Sequence, residues 1–348
     1  MQVSSMKVTA TTQHKLKSHH LRGVVLLVIG VISLIASMLM SITLGATTIT
    51  FSTVWDVLFH LNMENTNHQI IYEIRIPRVI GAALVGMSFA VAGALMQGLT
   101  RNPLADSSIL GVNAGATFML AICFAILPQL SYTYVVLMSF LGAAIGALLV
   151  FGLGFMSKQR LSPLRIILCG AAVSALLTAL GEGIALYFSV GQDIAFWFAG
   201  GVSGTTWAHL KIITPFIVIA VLSALLLAKS VTILSFGEEI AIGLGKNTLR
   251  IKIIVLLIVL ILAGGAVSVV GAVGFVGLIV PHFIRYIVGT DYRWIVAGSI
   301  VYGALLVVLA DCAARNIRPP YEMPIGALIA LIGVPFFLYI ARKQGRNL

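Results

Sequence analysis

Charged side chains are scarce in this chain, which has only 9% charged residues against 59% hydrophobic ones over 348 positions. The mean hydropathy is +1.07, a value that water-soluble domains do not sustain over such a length. This composition excludes a soluble enzyme and predicts a membrane protein. The net charge of +11 does not indicate nucleic-acid binding, because the basic residues flank apolar runs instead of forming a patch with aromatic residues.

Residues that could bind a metal or form disulfides are also few. Cys123, Cys169 and Cys312 each stand alone in an apolar run, a pattern that suits neither a disulfide framework nor a metal site. His282 lies inside a predicted membrane span, and no second ligand stands near it in the sequence. We interpret all four as packing residues, and we expect neither a metal site nor a cofactor.

Long apolar runs are abundant instead. They predict about ten membrane-spanning helices, since a bilayer core of about 30 Å needs roughly 20 apolar residues per crossing. The run from 253 to about 289 would measure roughly 55 Å as one straight helix, so we predict that its glycines divide it into two spans. These glycines are Gly264, Gly265, Gly271, Gly274 and Gly277. The other eight predicted helices lie near 23–45, 79–99, 108–127, 133–156, 164–188, 208–228, 294–314 and 324–341.

A single membrane domain, residues 23–342, would hold these helices between tails at 1–22 and 343–348. The apolar run Gly23–Ala46 is too long for the core of a signal peptide, which favours an uncleaved first helix. If both termini lie in the cytoplasm, seventeen of the 22 Lys and Arg residues fall in cytoplasmic segments and five fall outside. That asymmetry follows the positive-inside rule and predicts a multi-pass protein with two cytoplasmic termini.

Small residues predict where the helices touch, because helix contacts within lipid depend on a close approach of the backbones. Gly142 and Gly146 stand four residues apart, and Gly93 lies beside Ala90 and Ala94. We predict that both groups lie at helix–helix contacts within the subunit.

The segment 230–250, between the sixth and seventh predicted spans, has the pattern of a short capped helix outside the membrane. Ser235 and Glu238 have the spacing of a capping box, and Gly245 suits a left-handed helix end. Ile240, Ala241 and Leu244 would share one face. A helix of about nine residues is unstable alone, so this face must rest either on its own bundle or on a cytoplasmic partner.

The same segment does not form a phosphate-binding loop. The Gly245-Lys246 pair would require Gly at 240 and Ser or Thr at 247, where Ile240 and Asn247 stand. The chain therefore binds no nucleotide by that route. Energy for uphill transport would come from a separate ATPase subunit or from an ion gradient.

Four ordered groups of motifs extend over nearly the whole chain. They are Arg75–Arg78, Gly93–Gly98, Thr100–Asp106 and Leu110–Gly115, then Gly237–Gly245, then Gly274–His282, and finally Asp311–Arg315, Glu322–Gly326 and Gly333–Phe336. Together they resemble the FecCD-type permease family, which imports ferric siderophores, haem and cobalamin. One departure is Ser107, where many family members carry Pro.

The resemblance implies the type II fold of ATP-binding-cassette (ABC) importer permeases, an all-α membrane protein with ten transmembrane helices and an inverted repeat. It also implies a bacterial cytoplasmic (inner) membrane location and no enzymatic activity. The implied partners are a second permease subunit, identical or a paralogue, two cytoplasmic ATPase subunits, a periplasmic or lipid-anchored substrate-binding protein, and membrane lipids. Among substrates, a ferric siderophore is favoured over haem and cobalamin.

Three sets of site residues follow from the resemblance. Coupling to the ATPase would use Glu238, Glu239, Ala241, Leu244 and Gly245. Docking of the binding protein would use Arg75, Arg78 and Arg315. The translocation pathway would include Glu182, because an ionisable group in a span is costly unless it meets water or a partner, together with Phe196 and Trp197 in a short helix near the outer gate.

Two other classes of protein compete with this interpretation. An ion-coupled secondary transporter would also have about ten helices and an inverted repeat. It usually places charged residues at the membrane midplane, and this sequence has almost none there. An intramembrane enzyme would need paired carboxylates, a metal-ligand cluster or a nucleophile–base pair within the spans, and the sequence offers none.

Overall fold

The computed structural model describes residues 2–45, 49–106, 111–155, 163–199, 201–271, 273–317 and 321–345, and these are helical with short connections. The first helices are α1 (Gln2–Thr43), α2 (Phe51–Phe59) and α3 (Thr66–Gln69), and a π-helical segment (Ile70–Arg75) continues α3 into α4 (Ile76–Thr100). Next come α5 (Val112–Ile126), α6 (Tyr132–Phe155), α7 (Pro163–Tyr187), α8 (Gly191–Ala199) and α9 (Trp207–Ser235). The last are α10 (Glu238–Gly243), α11 (Thr248–Val270), α12 (Val276–Val288), α13 (Tyr292–Asn316) and α14 (Ile325–Gly345).

The spans predicted near the chain's ends agree closely with the apolar helices His20–Thr43 and Ile325–Ile340, although the helices themselves extend further, and the second span begins earlier than predicted. The predicted N-terminal tail is part of α1, which begins at Gln2, and α14 extends to Gly345 inside the predicted C-terminal tail. The helix that contains the second span begins at Thr66 instead of near residue 79. Its first turns are polar and include a π-helical segment, so apolar content alone could not locate the start.

Helix α4 is the central helix of the bundle and packs against α9, α11, α12 and α13. In the most apolar 18-residue stretch of the continuous helix Thr66–Thr100, 89% of the residues are buried, compared with 17% in α1 and 22% in α7. The core therefore lies around α4 and α11, while α1 and α7 are peripheral.

Glycine contacts bring the central helices together, as the sequence predicted. A Cβ atom on Gly93 of α4 would collide with the backbone carbonyl of Gly277 in α12. One on Gly142 of α6 would collide with the carbonyl of Gly115 in α5, and one on Gly146 would collide with the carbonyl of Gly111, the N-cap residue of α5. Backbones this close leave room for hydrogen only, so these positions require glycine.

The long apolar run from 253 to about 289 is broken, but at only some of the predicted glycines. Helix α11 ends at Val270, where Gly271 has a φ of 77°, and α12 begins after Phe275, which also has a positive φ of 68°. Gly264 and Gly265 do not break the helix and are buried inside α11. Both glycines lie where α11 packs against α6 and α9. Helix packing therefore explains the small residues at these positions, and no break in the helix is needed.

A side chain from α4 repairs a gap in the hydrogen bonds of α12. Pro281 lacks an N–H group, so the carbonyl of Gly277, one turn earlier, has no intrahelical donor. The buried Gln97 supplies one, because its Nε2 lies 3.1 Å from that carbonyl oxygen. This hydrogen bond from Gln97 holds α12 against α4.

Within the part of the chain that the structure describes, seven helices are long and apolar enough to cross a membrane, and three shorter apolar helices lie at Val112–Ile126, Val276–Val288 and Ile325–Ile340. The chain is thus a multi-pass, all-α membrane protein. The count of ten crossings and the inverted repeat stay predictions.

Candidate coupling and docking sites

The two ends of α4 mark the two ends of the bundle. At one end, Arg101 follows α4 in a left-handed conformation (φ 54°), with its guanidinium group close to Gly237 at the start of α10. At the other end, Arg75 and Arg78 lie beside the end of α1 and the end of α13. We call these the α10 end and the arginine end.

The short helix predicted between the sixth and seventh spans exists as α10, but its start differs from the prediction. Ser235 belongs to the last turn of α9 and donates to the carbonyl of Thr232 at 2.7 Å, so it does not cap α10. The N-cap residue is Gly237, which has no side chain to form a capping box. The capping-box prediction was wrong because α9 extends past residue 228 and includes Ser235.

The predicted end of α10 is confirmed at Gly245, which has a φ of 73°. Its N–H donates to the carbonyl of Ile242 at 2.8 Å, and the N–H of Lys246 donates to the carbonyl of Ala241 at 2.9 Å. This pair of bonds is the Schellman motif, and it ends a helix sharply.

Glu238 holds α10 against α11 instead of facing outward. Its carboxylate accepts bonds from Lys252 Nζ at 2.8 Å and from Thr248 Oγ1 at 3.0 Å. Ala241 is fully buried on the bundle side. These two predicted coupling residues therefore hold α10 on the bundle, and the Glu238 side chain stays 28% exposed.

Exposed apolar residues lie on α10 and in the segments that flank it, and we call them the α10 patch. Leu244 is 62% exposed, and Glu239 is an exposed acidic residue of α10. The sequence-based prediction included Glu239 and Leu244 but did not assign most of the patch. Its apolar members are Phe236, Ile240, Ile242, Leu244 and Leu249.

At the arginine end, Arg78 lies between two carboxylates. Its Nη2 and Nε donate to Asp311 at 2.8 and 3.0 Å, and its Nη1 donates to Glu322 at 2.7 Å. Asp311 is fully buried, and the Nε of Arg315 lies 3.3 Å from its other oxygen. The sequence-based prediction assigned no role to either acid, although the four-residue spacing of Asp311 and Arg315 on one helix is a signal for an ion pair.

Arg75 and Arg315 bind the last carbonyl groups of α1. Arg75 Nη1 donates to the carbonyls of Ile42 and Thr43 at 2.5 and 3.0 Å. Arg315 Nη2 donates to the carbonyl of Ser41 at 3.1 Å. The last carbonyls of a helix lack intrahelical donors and carry partial negative charge, so cations there are stabilising.

The three arginines predicted to dock a partner are therefore engaged inside the subunit. Arg75 and Arg78 are 5% and 7% exposed, and the side chain of Arg315 is 8% exposed. Helices α1 and α13 and the segment before α14 supply intramolecular partners that the sequence did not reveal, and the docking role of these arginines stays a prediction.

The predicted pathway residues lie on α7 and α8. Glu182 is exposed on α7. The ring of Trp197 stacks on Tyr132 with centroids 4.4 Å apart and meets Phe124 edge-on at 6.0 Å, so α8 is fixed to the bundle by aromatic contacts. The side chain of Phe196 lies outside the described part of the structure.

The residues predicted to pack do so. Cys123 and Cys312 are buried, Cys169 is partly buried, and the ring of His282 contacts Phe336 edge-on with centroids 5.8 Å apart. Within the described ranges, no group of three or more His, Cys, Asp or Glu side chains could hold a metal ion.

Comparison with known proteins identifies the family. Residues 33–343 match the model of the FecCD transport family. The chain belongs to this family. It is 46% identical over 340 residues to the iron(3+)-hydroxamate import system permease protein FhuB of Bacillus subtilis, covering 98% of this chain and 88% of that protein. It is 35% identical to the ferric enterobactin transport system permease protein FepD of Escherichia coli, covering 90% and 94%.

A solved structure agrees with the family assignment. An inward-facing metal-chelate type ABC transporter matches with a TM-score of 0.80 and 26% identity, over 91% of this chain and 98% of that one. Together these matches confirm the predicted fold class and make this FecCD member a permease subunit of the ABC importer class, not an enzyme. Proteins of this class work together with ATPase and substrate-binding partners.

Proposed function

We propose that this FecCD permease translocates an iron chelate across the bacterial cytoplasmic membrane, with a ferric siderophore as the favoured substrate. The observation that carries the proposal is the match along nearly the whole chain to permeases named for iron(3+)-hydroxamate and ferric enterobactin import. Hemin permease HmuU of Yersinia pestis is 35% identical, which makes haem the next candidate.

The α10 patch would be the surface on which a cytoplasmic ATPase rests. An uncovered apolar surface of this kind suits a protein interface, and Glu239 would add charge recognition at its edge. Glu238, Ala241 and Gly245 would act indirectly by fixing the position and the end of α10. The α10 end, and with it both termini, would then lie in the cytoplasm.

The full assembly would contain two permease subunits, identical or paralogous, two ATPase subunits, and a binding protein at the arginine end. Because Arg78 already binds two carboxylates, direct pairing with an acidic residue of the binding protein would require Glu322 to release it. Glu182, Phe196 and Trp197 would border the path near that end. Motion of the ATPases would reach the path through α10 and the rigid spans.

Co-purification in detergent with the candidate ATPase tests the coupling surface. We expect Glu239→Arg combined with Leu244→Asp to abolish recovery of the ATPase while the permease remains monodisperse. Leu61→Asp provides a matched control, because it places the same charge on an exposed leucine in the connection between α2 and α3. Retention of the ATPase by the double variant would remove α10 from the interface.

Transport by reconstituted vesicles tests the function itself. Vesicles that contain the complete complex should accumulate a ferric hydroxamate only when ATP is supplied on the ATPase side. If the permease alone accumulates substrate under a proton or sodium gradient, it is an ion-coupled transporter and the proposal fails.

A further inference from the structure

Helix α2 has one face on the protein and one face that the subunit leaves uncovered. Val54 and Val57 are 1% and 4% exposed and face α1, α3 and the π-helical segment. Trp55 is 56% exposed, and Phe51 and Phe59 are similarly uncovered one turn before and after it. The helix is therefore amphipathic, with its large aromatic side chains on the outside.

The uncovered rings form a continuous stripe, which we call the α2 stripe. The ring centroids of Phe51 and Trp55 are 6.4 Å apart, and those of Trp55 and Phe59 are 4.9 Å apart. Leu58, 52% exposed, widens the stripe on the same side. Exposed apolar surface of this size on a folded subunit marks a contact with a partner or with lipid.

The orientation of α2 is fixed by polar contacts at both ends. Thr50 caps its first turn by accepting a bond from the N–H of Thr53. Near the other end, Asp56 Oδ2 lies 3.4 Å from Nε2 of the buried His68, whose Nδ1 accepts from the N–H of Asn62. The stripe is thus held outward by the fold.

The position of α2 indicates what covers the stripe. Helix α1 is apolar enough to cross the membrane and ends at Thr43, where Arg75 and Arg315 bind its last carbonyls, so the chain leaves the hydrocarbon there. Helix α2 follows after a short connection and packs beside α1. With nine residues it is about 14 Å long, which is too short to cross a bilayer.

We propose that the α2 stripe lies in the headgroup layer of the membrane at the arginine end, where it binds phospholipid through apolar contact. Tryptophan and phenylalanine suit this boundary, and an amphipathic helix lies flat in it. The helix has no Lys or Arg and carries the acidic Asp56. Binding therefore does not depend on anionic lipid.

Depth-dependent quenching of tryptophan fluorescence tests this proposal in the full-length protein reconstituted in lipid nanodiscs. Trp55 is the most exposed of the four tryptophans, since Trp197, Trp207 and Trp294 are partly buried. We expect a spin label near the headgroup to quench the emission more than a label near the end of the acyl chain. The substitution Trp55→Phe should remove about half or more of that quenching.

Trp207→Phe is the matched control, because Trp207 lies at the first residue of α9 but donates its indole N–H to the carbonyl of Tyr72 at 2.8 Å. This variant should keep the lipid-dependent quenching. Replacing zwitterionic lipid by phosphatidylglycerol, or raising the salt concentration, should leave the result unchanged. Quenching of Trp55 by aqueous iodide without quenching by lipid labels would overturn the proposal and point to a protein partner for the stripe.

Discussion

The buried carboxylate of Asp311 is the strongest test of the arginine end. The substitution Asp311→Asn keeps the shape and one acceptor oxygen but removes the charge that Arg78 and Arg315 share. Leaving a buried charge without its partner costs about 3–5 kcal/mol. Glu322 still neutralises Arg78, because its Oε1 lies 2.7 Å from Arg78 Nη1. We therefore expect the unfolding free energy to fall by an amount near the lower end of this range, about 3 kcal/mol.

Asp291→Asn is the control, since it makes the same chemical change at the other end of α13. Burial raises the pKa of Asp291, but bonds from Arg293, its positive charge and a bond with Thr232 lower the pKa below its usual value, so this carboxylate is also ionised at neutral pH. Its partner Arg293 is 64% exposed, and Asn can replace Asp as N-cap residue. The expected loss is therefore about 0–1 kcal/mol.

Unfolding by SDS in mixed micelles, followed by circular dichroism, measures both variants. Adding Arg315→Met to Asp311→Asn should restore part of the lost stability, because no unpaired guanidinium group then remains at that position. Equal losses for Asp311→Asn and Asp291→Asn would refute the view that the buried ion pairs organise the arginine end.

Four further substitutions, at three positions, test contacts inside the subunit. Gly93→Ala should lower the unfolding free energy by about 1–3 kcal/mol in the same titration, because the new methyl group meets the backbone of Gly277; an unchanged midpoint would contradict the contact. Gln97→Leu should cost about 1–3 kcal/mol by leaving the carbonyl of Gly277 unpaired, and Gln97→Glu, which cannot donate when ionised, should not rescue it. Lys252→Met releases Glu238, so ATPase recovery in detergent should fall while the permease stays monodisperse; full recovery would show that α10 needs no such support.

The sequence predicted the parts of the fold that depend on local pattern. Apolar runs located the long helices, paired glycines located the contacts of Gly93 and Gly142, and Gly245 located the end of α10. Partners distant in sequence could not be predicted in this way. Arg78 and Asp311 are separated by 233 positions, so the sequence did not reveal the carboxylates and carbonyls that the arginines bind inside the subunit.

The same limit explains the remaining errors. Ser235 and Glu238 have the spacing of a capping box, but α9 continues through Ser235, and Glu238 finds a stronger, charged partner in Lys252. Gly264 and Gly265 resemble helix breaks, but both lie within a continuous helix where neighbouring helices come close. In both cases a tertiary contact overrode a local signal.

The bond from Gln97 to the carbonyl that Pro281 leaves free has a consequence for the transport cycle. A sliding or rotation of α12 along α4 would break this bond and disturb the close contact between the backbones at Gly93 and Gly277. The two helices should therefore travel as one rigid body when the permease changes between its inward-open and outward-open forms. The displacement then has to occur at other helix contacts of the bundle.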